Sequence, residues 1–231
     1  MTAMGPLLTV GHRGLMGVEP ENTLRSFRRA RREGLDAVEL DLHLSRDGTL
    51  VVMHDARVDR TTDGRGAIAE LSLGELRRLD AGLGERVPTV REVVTEIGGH
   101  LQLEIKDVAA ARELAALVAA CDLGGRVTVI SFHDTALAAF AEELPGVPRG
   151  LVTGTSTATA PERAAALGCG LVSCELAWLT PEVVERCRAA GLEVLGWTVN
   201  TDRELARARQ LGLDGVVTDR PEIVREVRAA A

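Results

Sequence analysis

The chain has 231 residues, 45% of them hydrophobic, and α/β barrels of about 200 to 250 residues commonly form single domains. A formal net charge of -7 and the lack of a long basic run disfavour nucleic-acid binding but do not exclude a small anionic ligand. Neither a signal peptide nor an apolar stretch of membrane-spanning length is evident, so we expect a soluble cytoplasmic protein without a membrane span.

Short apolar runs alternate with amphipathic helical stretches along most of the chain, which is the pattern of β/α units around a parallel sheet. Residues 7–12 are predicted to form the first strand, residues 21–34 a helix that ends at a glycine, and residues 37–44 the second strand. Residues 46–48 predict a turn into a short returning strand over residues 49–54. This hairpin interrupts the alternation of strands and helices.

Residues 56–87 are predicted to form a small inserted cap segment, because they are polar, rich in turn residues and contain one short helical piece at residues 72–79. Beyond a helix at residues 89–98, strands are predicted at residues 101–106, 126–132, 149–152, 171–174, 193–199 and 215–218, each followed by a helix. Without the returning strand, eight strand–helix pairs predict a closed (β/α)8 TIM-type barrel over residues 1–231. A doubly wound open sheet is the alternative, but no GxGxxG turn follows the first strand.

Two neighbouring strands supply carboxylates to one end of the predicted barrel. Side chains alternate along a strand, so Glu39 and Asp41 share one face of the second strand, and Glu104 points inward from the next one. Three oxygen ligands on rigid strands suit a hard divalent cation, Mg²⁺ or Ca²⁺, with Mn²⁺ as a third candidate. The alternative is a buried ion-pair network in which Arg13 and Lys106 neutralise the carboxylates without a metal.

Two histidines, His12 and His54, end the strands that flank this cluster. Histidine suits acid–base chemistry near neutral pH, although a single histidine at a strand end is more often structural. His43 lies on the same face as the carboxylates and could reach the rim, whereas His100 and His133 are assigned to structure. Lys106 is the only lysine among many arginines, which favours a need for a compact ammonium group there; the alternative is that this lysine occurs by chance.

Several remaining polar residues have structural interpretations. The four cysteines lack CxxC spacing and lie in apolar segments, so we expect reduced core thiols at Cys121, Cys169, Cys174 and Cys187. Asn22, Asn200 and Asp219 lie at loop-to-helix junctions and are interpreted as helix caps. For Asn200, contact with a substrate is an equally open alternative.

The chain resembles the glycerophosphodiester phosphodiesterase family along nearly its whole length. Each motif is short, but their order and combination are specific. They are Gly11-His12-Arg13-Gly14, Pro20-Glu21-Asn22-Thr23, Glu39-Leu40-Asp41, Asp47-Gly48, Val52-Met53-His54-Asp55, Arg60-Thr61-Thr62-Asp63-Gly64, Leu103-Glu104-Ile105-Lys106, Trp197-Thr198-Val199-Asn200 and Thr218-Asp219-Arg220-Pro221.

The resemblance implies a TIM-type barrel that hydrolyses small-molecule glycerophosphodiesters to sn-glycerol 3-phosphate and an alcohol. By position, the resemblance implies that Glu39, Asp41 and Glu104 are the metal ligands and that His12 and His54 are the acid–base pair. It also implies that Arg13 and Lys106 bind the phosphate, that Glu21 lies near the metal and that Trp197 lies against the glycerol. The nucleophile would be either water or the neighbouring glycerol hydroxyl, through a cyclic phosphate. The alternatives are a phospholipase-type enzyme acting on lipids or lysolipids and a non-catalytic phosphate-binding barrel.

Overall fold

The fold is a closed barrel of parallel strands surrounded by helices. A computed structural model describes residues 7–229, and within this range nine strands form one sheet. The strands are β1 (Leu8–Gly11), β2 (Ala37–Leu44), β3 (Leu50–Val52), β4 (His100–Ile105), β5 (Val127–Ser131), β6 (Arg149–Thr153), β7 (Leu171–Glu175), β8 (Glu193–Trp197) and β9 (Gly215–Thr218). The helices in the same range are α1 (Leu24–Arg32), α2 (Leu73–Leu76), α3 (Val90–Glu96), α4 (Ala110–Ala120), α5 (Asp134–Glu143), α6 (Ala160–Ala166), α7 (Pro181–Ala189), α8 (Asp202–Leu211) and α9 (Pro221–Ala229).

The barrel closes where β1 pairs in parallel with β9 on one side and with β2 on the other. The sheet order is β1-β9-β8-β7-β6-β5-β4-β2-β3, so every strand except β3 belongs to the parallel barrel. β3 is antiparallel to β2 and forms the predicted hairpin. The prediction of a (β/α)8 TIM-type barrel is therefore confirmed.

The helix boundaries follow from local capping. The predicted first helix began at residue 21, but α1 begins at Leu24 because the Thr23 side chain accepts a hydrogen bond from the Ser26 amide and so acts as the N-cap. Residues 20–22 instead form a turn, in which Asn22 has a φ of 56°. That left-handed conformation cannot continue into a helix.

The core lies between the barrel wall and the helices. Alternate residues of β2 and β4 point outward and are buried completely under α1, α3 and α4; they are Val38, Leu40, Leu42, Leu101, Leu103 and Ile105. Burial of each such side chain contributes about 1.5–3 kcal/mol. The same alternation directs the polar residues of these strands into the barrel, where Glu39, Asp41 and Glu104 are buried.

The segment of residues 56–87 packs on the hairpin through a small apolar cluster of its own. Val58, Ile68, Leu76 and Val87 are buried there, together with Val51 and Met53. The short helix α2 starts with a capping box, in which Ser72 and Glu75 bond each other's backbone amides. The segment therefore has an apolar anchor under a polar surface.

All four cysteines are free, and three of them are buried. Burial raises the pKa of Cys174 to about 12 and that of Cys169 and Cys187 to about 11, so these thiols stay protonated. The expectation of reduced cysteines agrees with this arrangement. Among residues 7–229, no helix is both long enough and apolar enough to cross a membrane.

Candidate active site

One pocket at the carboxyl ends of the barrel strands gathers most of the residues proposed from the sequence. His12, Arg13, Glu39, His54, Glu104, Lys106 and Trp197 line it together. Asp41 lies directly beneath, 1% exposed, and contacts both basic residues. Glu21 reaches the site through its pairing with Arg13. The strand ends of a barrel converge on this face, which explains why residues far apart in the chain meet here.

The three carboxylates of β2 and β4 form a compact, buried cluster. Asp41 pairs in register with Glu104, and Glu39 lies two residues earlier on the same face of β2. One carboxylate oxygen from each residue lies within 4.8 Å of the others. Burial and the neighbouring negative charges raise the pKa of Glu39 well above its ordinary value and that of Glu104 to about 7.

Arg13 and Lys106 supply the positive charge around this cluster. Lys106 Nζ lies 2.7 Å from Glu104 Oε1 and 3.5 Å from Asp41 Oδ1, and Arg13 Nε lies 3.3 Å from Asp41 Oδ2. Burial alone would raise the pKa of Asp41, but Lys106 and Arg13 outweigh burial and lower it. Burial would likewise lower the pKa of Lys106, but Glu104 and Asp41 outweigh burial and raise it. Both basic groups are therefore held in the charged state.

The carboxylate cluster fits a hard divalent cation better than a complete ion-pair network. Two basic side chains face three carboxylates, and Glu39 Oε1 is buried without a hydrogen-bond partner among residues 7–229. An unpaired buried carboxylate oxygen is costly unless a cation or a donor reaches it. The oxygen-only donor set matches Mg²⁺, Ca²⁺ or Mn²⁺.

His12 is oriented by a carboxylate that the sequence did not link to it. Its Nδ1 lies 2.7 Å from Asp219 Oδ1, at the end of β9. Asn200 fixes this carboxylate from the other side, because its Nδ2 donates to Asp219 Oδ2 at 2.7 Å and its Oδ1 accepts from the Asp219 amide at 2.9 Å. Since a carboxylate accepts, His12 Nδ1 carries the proton and Nε2 is left for chemistry in the pocket.

His54 is held in the same way by the residue that follows it. Its Nδ1 lies 2.7 Å from Asp55 Oδ1, and Arg60 binds the same carboxylate at 2.6 and 3.0 Å. Burial lowers the pKa of His54, with Asp41 and Asp55 acting in the opposite direction. His43 Nε2 contacts the His54 carbonyl oxygen at 3.0 Å, which places His43 behind the backbone of the site. Both pocket histidines thus present Nε2.

The loop after β1 reaches the cluster in a strained conformation. Arg13 has a φ of 49°, and Asn22 has a φ of 56°. Each such residue costs about 1–3 kcal/mol when it is not glycine. The Arg13 amide donates to Glu39 Oε2 at 2.8 Å, and Asn22 Nδ2 donates to Asp41 Oδ2 at 2.8 Å. Contacts with the carboxylates therefore hold the loop in this conformation.

The wall opposite the carboxylates is apolar and aromatic. Trp197, at the end of β8, donates its indole N–H to the Ser173 carbonyl oxygen at 3.1 Å. Phe132 meets Trp197 edge-to-face, with ring centroids 5.9 Å apart, and lies 5.4 Å from Lys106 Nζ. This wall suits the carbon skeleton of a small polyol beside an anion.

The helix-cap interpretations of Asn22 and Asn200 are wrong. Thr23 and Thr201 provide the N-caps of α1 and α8. Asn22 instead bonds Asp41, Asn200 bonds Asp219, and Asp219 bonds His12. For Asn200 and Asp219, the sequence signal that could have identified them is their place shortly after the ends of β8 and β9.

The model of the glycerophosphoryl diester phosphodiesterase family matches residues 12–223. A glycerophosphodiester phosphodiesterase from Caldanaerobacter subterraneus subsp. tengcongensis is 33% identical over an alignment of 230 residues. The alignment covers 93% of this chain and 95% of that protein.

Two solved structures share the fold over almost their full length. The Oleispira antarctica phosphodiesterase, solved in complex with the product sn-glycerol-3-phosphate, is 31% identical, with a TM-score of 0.87 and 97% of each chain covered. The glycerophosphodiester phosphodiesterase from Thermotoga maritima is 26% identical, with a TM-score of 0.82 and 97% and 99% of the two chains covered.

Proposed function

This chain belongs to the glycerophosphoryl diester phosphodiesterase family, and from that premise we propose that it hydrolyses glycerophosphodiesters to sn-glycerol 3-phosphate and an alcohol. The observation that carries the proposal is one pocket in which two carboxylate-oriented histidines face two basic side chains and a carboxylate cluster. We treat residues 1–231 as one catalytic domain, since the family match runs from residue 12 to residue 223.

Arg13 and Lys106 bind the phosphoryl oxygens in this proposal. Both are charged, partly buried and directed at the pocket, where a low dielectric strengthens their attraction for an anion. Glu21 contributes by holding the Arg13 guanidinium, which it meets at 2.8 Å. The same two cations stabilise the additional negative charge that develops as the phosphorus is attacked.

His12 and His54 exchange the protons of the reaction through Nε2. One accepts the proton of the attacking hydroxyl, and the other donates a proton to the departing alcohol oxygen as the phosphorus–oxygen bond breaks. Asp219 and Asp55 keep Nδ1 protonated, so each Nε2 is available to the pocket. This arrangement serves either water or the neighbouring glycerol hydroxyl as the nucleophile.

Glu39, Asp41 and Glu104 would hold a divalent cation, for which we propose Mg²⁺, Ca²⁺ or Mn²⁺. Such an ion supplies Lewis-acid polarisation of a phosphoryl oxygen. Burial first, and the neighbouring carboxylates second, raise the pKa of Glu39 and Glu104, and a cation would neutralise the negative charge of the cluster. We place the glycerol against Trp197, whose ring is fixed by its bond to Ser173.

The experiment is release of sn-glycerol 3-phosphate from glycerophosphocholine and glycerophosphoethanolamine by purified protein. The protein is treated with EDTA and then given Mg²⁺, Ca²⁺ or Mn²⁺, and Asp41→Asn serves as the variant with an altered cluster. We expect the release of sn-glycerol 3-phosphate to depend on the metal and to be abolished in Asp41→Asn. Folded protein that releases no product with any metal would refute the proposal. Lysophosphatidylcholine as a parallel substrate detects a lipid-directed enzyme.

A further inference from the structure

The cap segment places one guanidinium between two carboxylates of the candidate active site. Arg60 Nε and Nη2 donate to Asp55 Oδ2 and Oδ1 at 2.6 and 3.0 Å. On its other edge, Arg60 Nη1 and Nη2 donate to Glu21 Oε2 and Oε1 at 2.7 and 2.8 Å. All three nitrogens of the group are used, and both carboxylates are bound in a bidentate manner.

Each of these carboxylates holds a different functional side chain. Asp55 binds His54 Nδ1 at 2.7 Å, and Glu21 binds Arg13 Nη1 at 2.8 Å. The hydrogen bonds from Arg60 also hold the pKa of Asp55 far below its ordinary range, so this carboxylate remains an acceptor. The proposed proton-transfer group and the proposed phosphate-binding group are therefore joined through Arg60.

The position of the Arg60 backbone does not depend on these bonds. Val58 is fully buried in the apolar cluster of the cap segment. The amide and the hydroxyl of Thr62 both donate to the Val58 carbonyl oxygen, at 3.1 and 2.8 Å, and close a turn around Arg60. The Val58 amide in turn donates to the Gly66 carbonyl oxygen at 3.0 Å. Removal of the guanidinium is thus expected to leave this turn intact.

We propose that Arg60 is a positioning residue of the hydrolytic reaction, which aligns His54 through Asp55 and Arg13 through Glu21. This inference rests on the proposed function, and it gives the cap segment a role in catalysis. A lysine cannot replace Arg60, because one ammonium group cannot form two bidentate pairs with carboxylates on opposite sides.

The test compares Arg60→Ala and Arg60→Lys with Arg57→Ala. Arg57 is a matched control because it lies three residues before Arg60 in the same segment, is similarly exposed (59% against 47% for Arg60), and pairs only with Asp59 among the described residues. Arg60→Ala is expected to lower kcat for glycerophosphocholine by about tenfold to hundredfold, the range for a displaced reactive group. Arg60→Lys is expected to behave like Arg60→Ala, whereas Arg57→Ala retains the activity and all three variants retain the melting temperature.

Two further measurements distinguish positioning from other roles. Millimolar guanidinium should restore part of the activity of Arg60→Ala, with saturation, and leave Arg57→Ala unaffected. In the background of Asp55→Asn with Glu21→Gln, Arg60→Ala should change kcat by less than about threefold, because the two carboxylates through which it acts are already altered. A full additional loss in that background would show that Arg60 contacts the substrate itself.

Other outcomes overturn the inference. A raised KM with unchanged kcat in Arg60→Ala would mark Arg60 as a substrate-binding residue, and a lowered melting temperature that accounts for the lost activity would mark it as structural. The proposed function fails separately, if the metal-loaded wild-type protein releases no sn-glycerol 3-phosphate. If the wild type is active and Arg60→Ala equals it, only the inference about Arg60 fails.

Discussion

Replacement of Asp219 by asparagine should disable His12 while it changes the shape of the site very little. The Asn200 amide is fixed, because its Oδ1 accepts from the Asp219 backbone amide at 2.9 Å and from Thr218 Oγ1 at 3.2 Å. Asn200 Nδ2 must therefore donate toward residue 219. In Asp219→Asn, the new side-chain oxygen has to accept this bond, and the new NH2 group then faces His12 Nδ1.

Two donors cannot face each other, so His12 in Asp219→Asn has to carry its proton on Nε2 instead of Nδ1. The nitrogen that faces the pocket then no longer accepts a proton in the neutral ring. The substitution also removes a hydrogen bond with a charged partner, worth about 1.5–3 kcal/mol. If that energy is lost in the transition state, kcat falls by about tenfold to hundredfold, since about 1.4 kcal/mol corresponds to tenfold in rate.

The assay is steady-state release of sn-glycerol 3-phosphate from glycerophosphocholine at saturating metal, together with the melting temperature of each variant. Asn200→Asp is the companion variant, because it places a second carboxylate beside Asp219 and disturbs the same orientation from the other side. A folded Asp219→Asn protein whose kcat lies within threefold of the wild type would refute the assigned role of Asp219.

Three further outcomes follow from the site. His12→Ala and His54→Ala should each lower kcat at least about a hundredfold, the usual contribution of an acid–base group, with little change in the melting temperature; near-normal turnover would remove that histidine from the mechanism. Lys106→Arg keeps the net charge but should lower kcat roughly tenfold or more. The larger guanidinium has to fit where Lys106 Nζ lies 2.7 Å from Glu104, and such overpacking costs about 1–3 kcal/mol. A fully active variant would show that the compact shape of the ammonium group is unimportant. In EDTA-treated protein, Glu104 binds a proton in the folded state up to a pKa of about 7, whereas its ordinary value is 4.5. Unfolding releases that proton between these values, so Glu104 contributes a fall in the melting temperature as pH rises from 4.5 to 7. Glu104→Gln should make this fall shallower, and equal slopes in wild type and variant would contradict it.

Much of the site could be predicted from the sequence because strand geometry is periodic. Alternation along β2 and β4 sets Glu39, Asp41, Glu104 and Lys106 on inward faces, and the carboxyl ends of barrel strands converge on one side. His12 joins them because it follows β1, whose carboxyl end lies on that side. His54 joins them because β3 runs back antiparallel to β2 and brings the chain to the level of Asp41, whose carbonyl oxygen accepts from the Met53 amide at 3.0 Å. None of this required knowledge of a long-range contact, only of the repeat of strands and helices.

Other parts of the site depend on contacts between distant segments. Asp219 and His12 are 207 residues apart, and Arg60 and Glu21 are 39 residues apart. Local patterns indicated helix caps for Asn22 and Asp219, because short polar residues at helix starts commonly have that role, and left Asn200 open between a cap and a substrate contact. In the folded chain, threonines one residue further on cap α1 and α8 and leave the asparagines free to reach the site.

The sequence by itself determined the barrel, the faces of its strands and the identity of the carboxylate cluster. These features depend on the spacing of apolar residues within each segment, which repeats every two residues in strands and every 3.6 residues in helices. Only the tertiary structure decided which nitrogen of each histidine faces the pocket and what holds Arg13 in place. Those features depend on hydrogen bonds between loops from β1, β9 and the cap segment, and loop directions are set by the closure of the barrel rather than by local sequence.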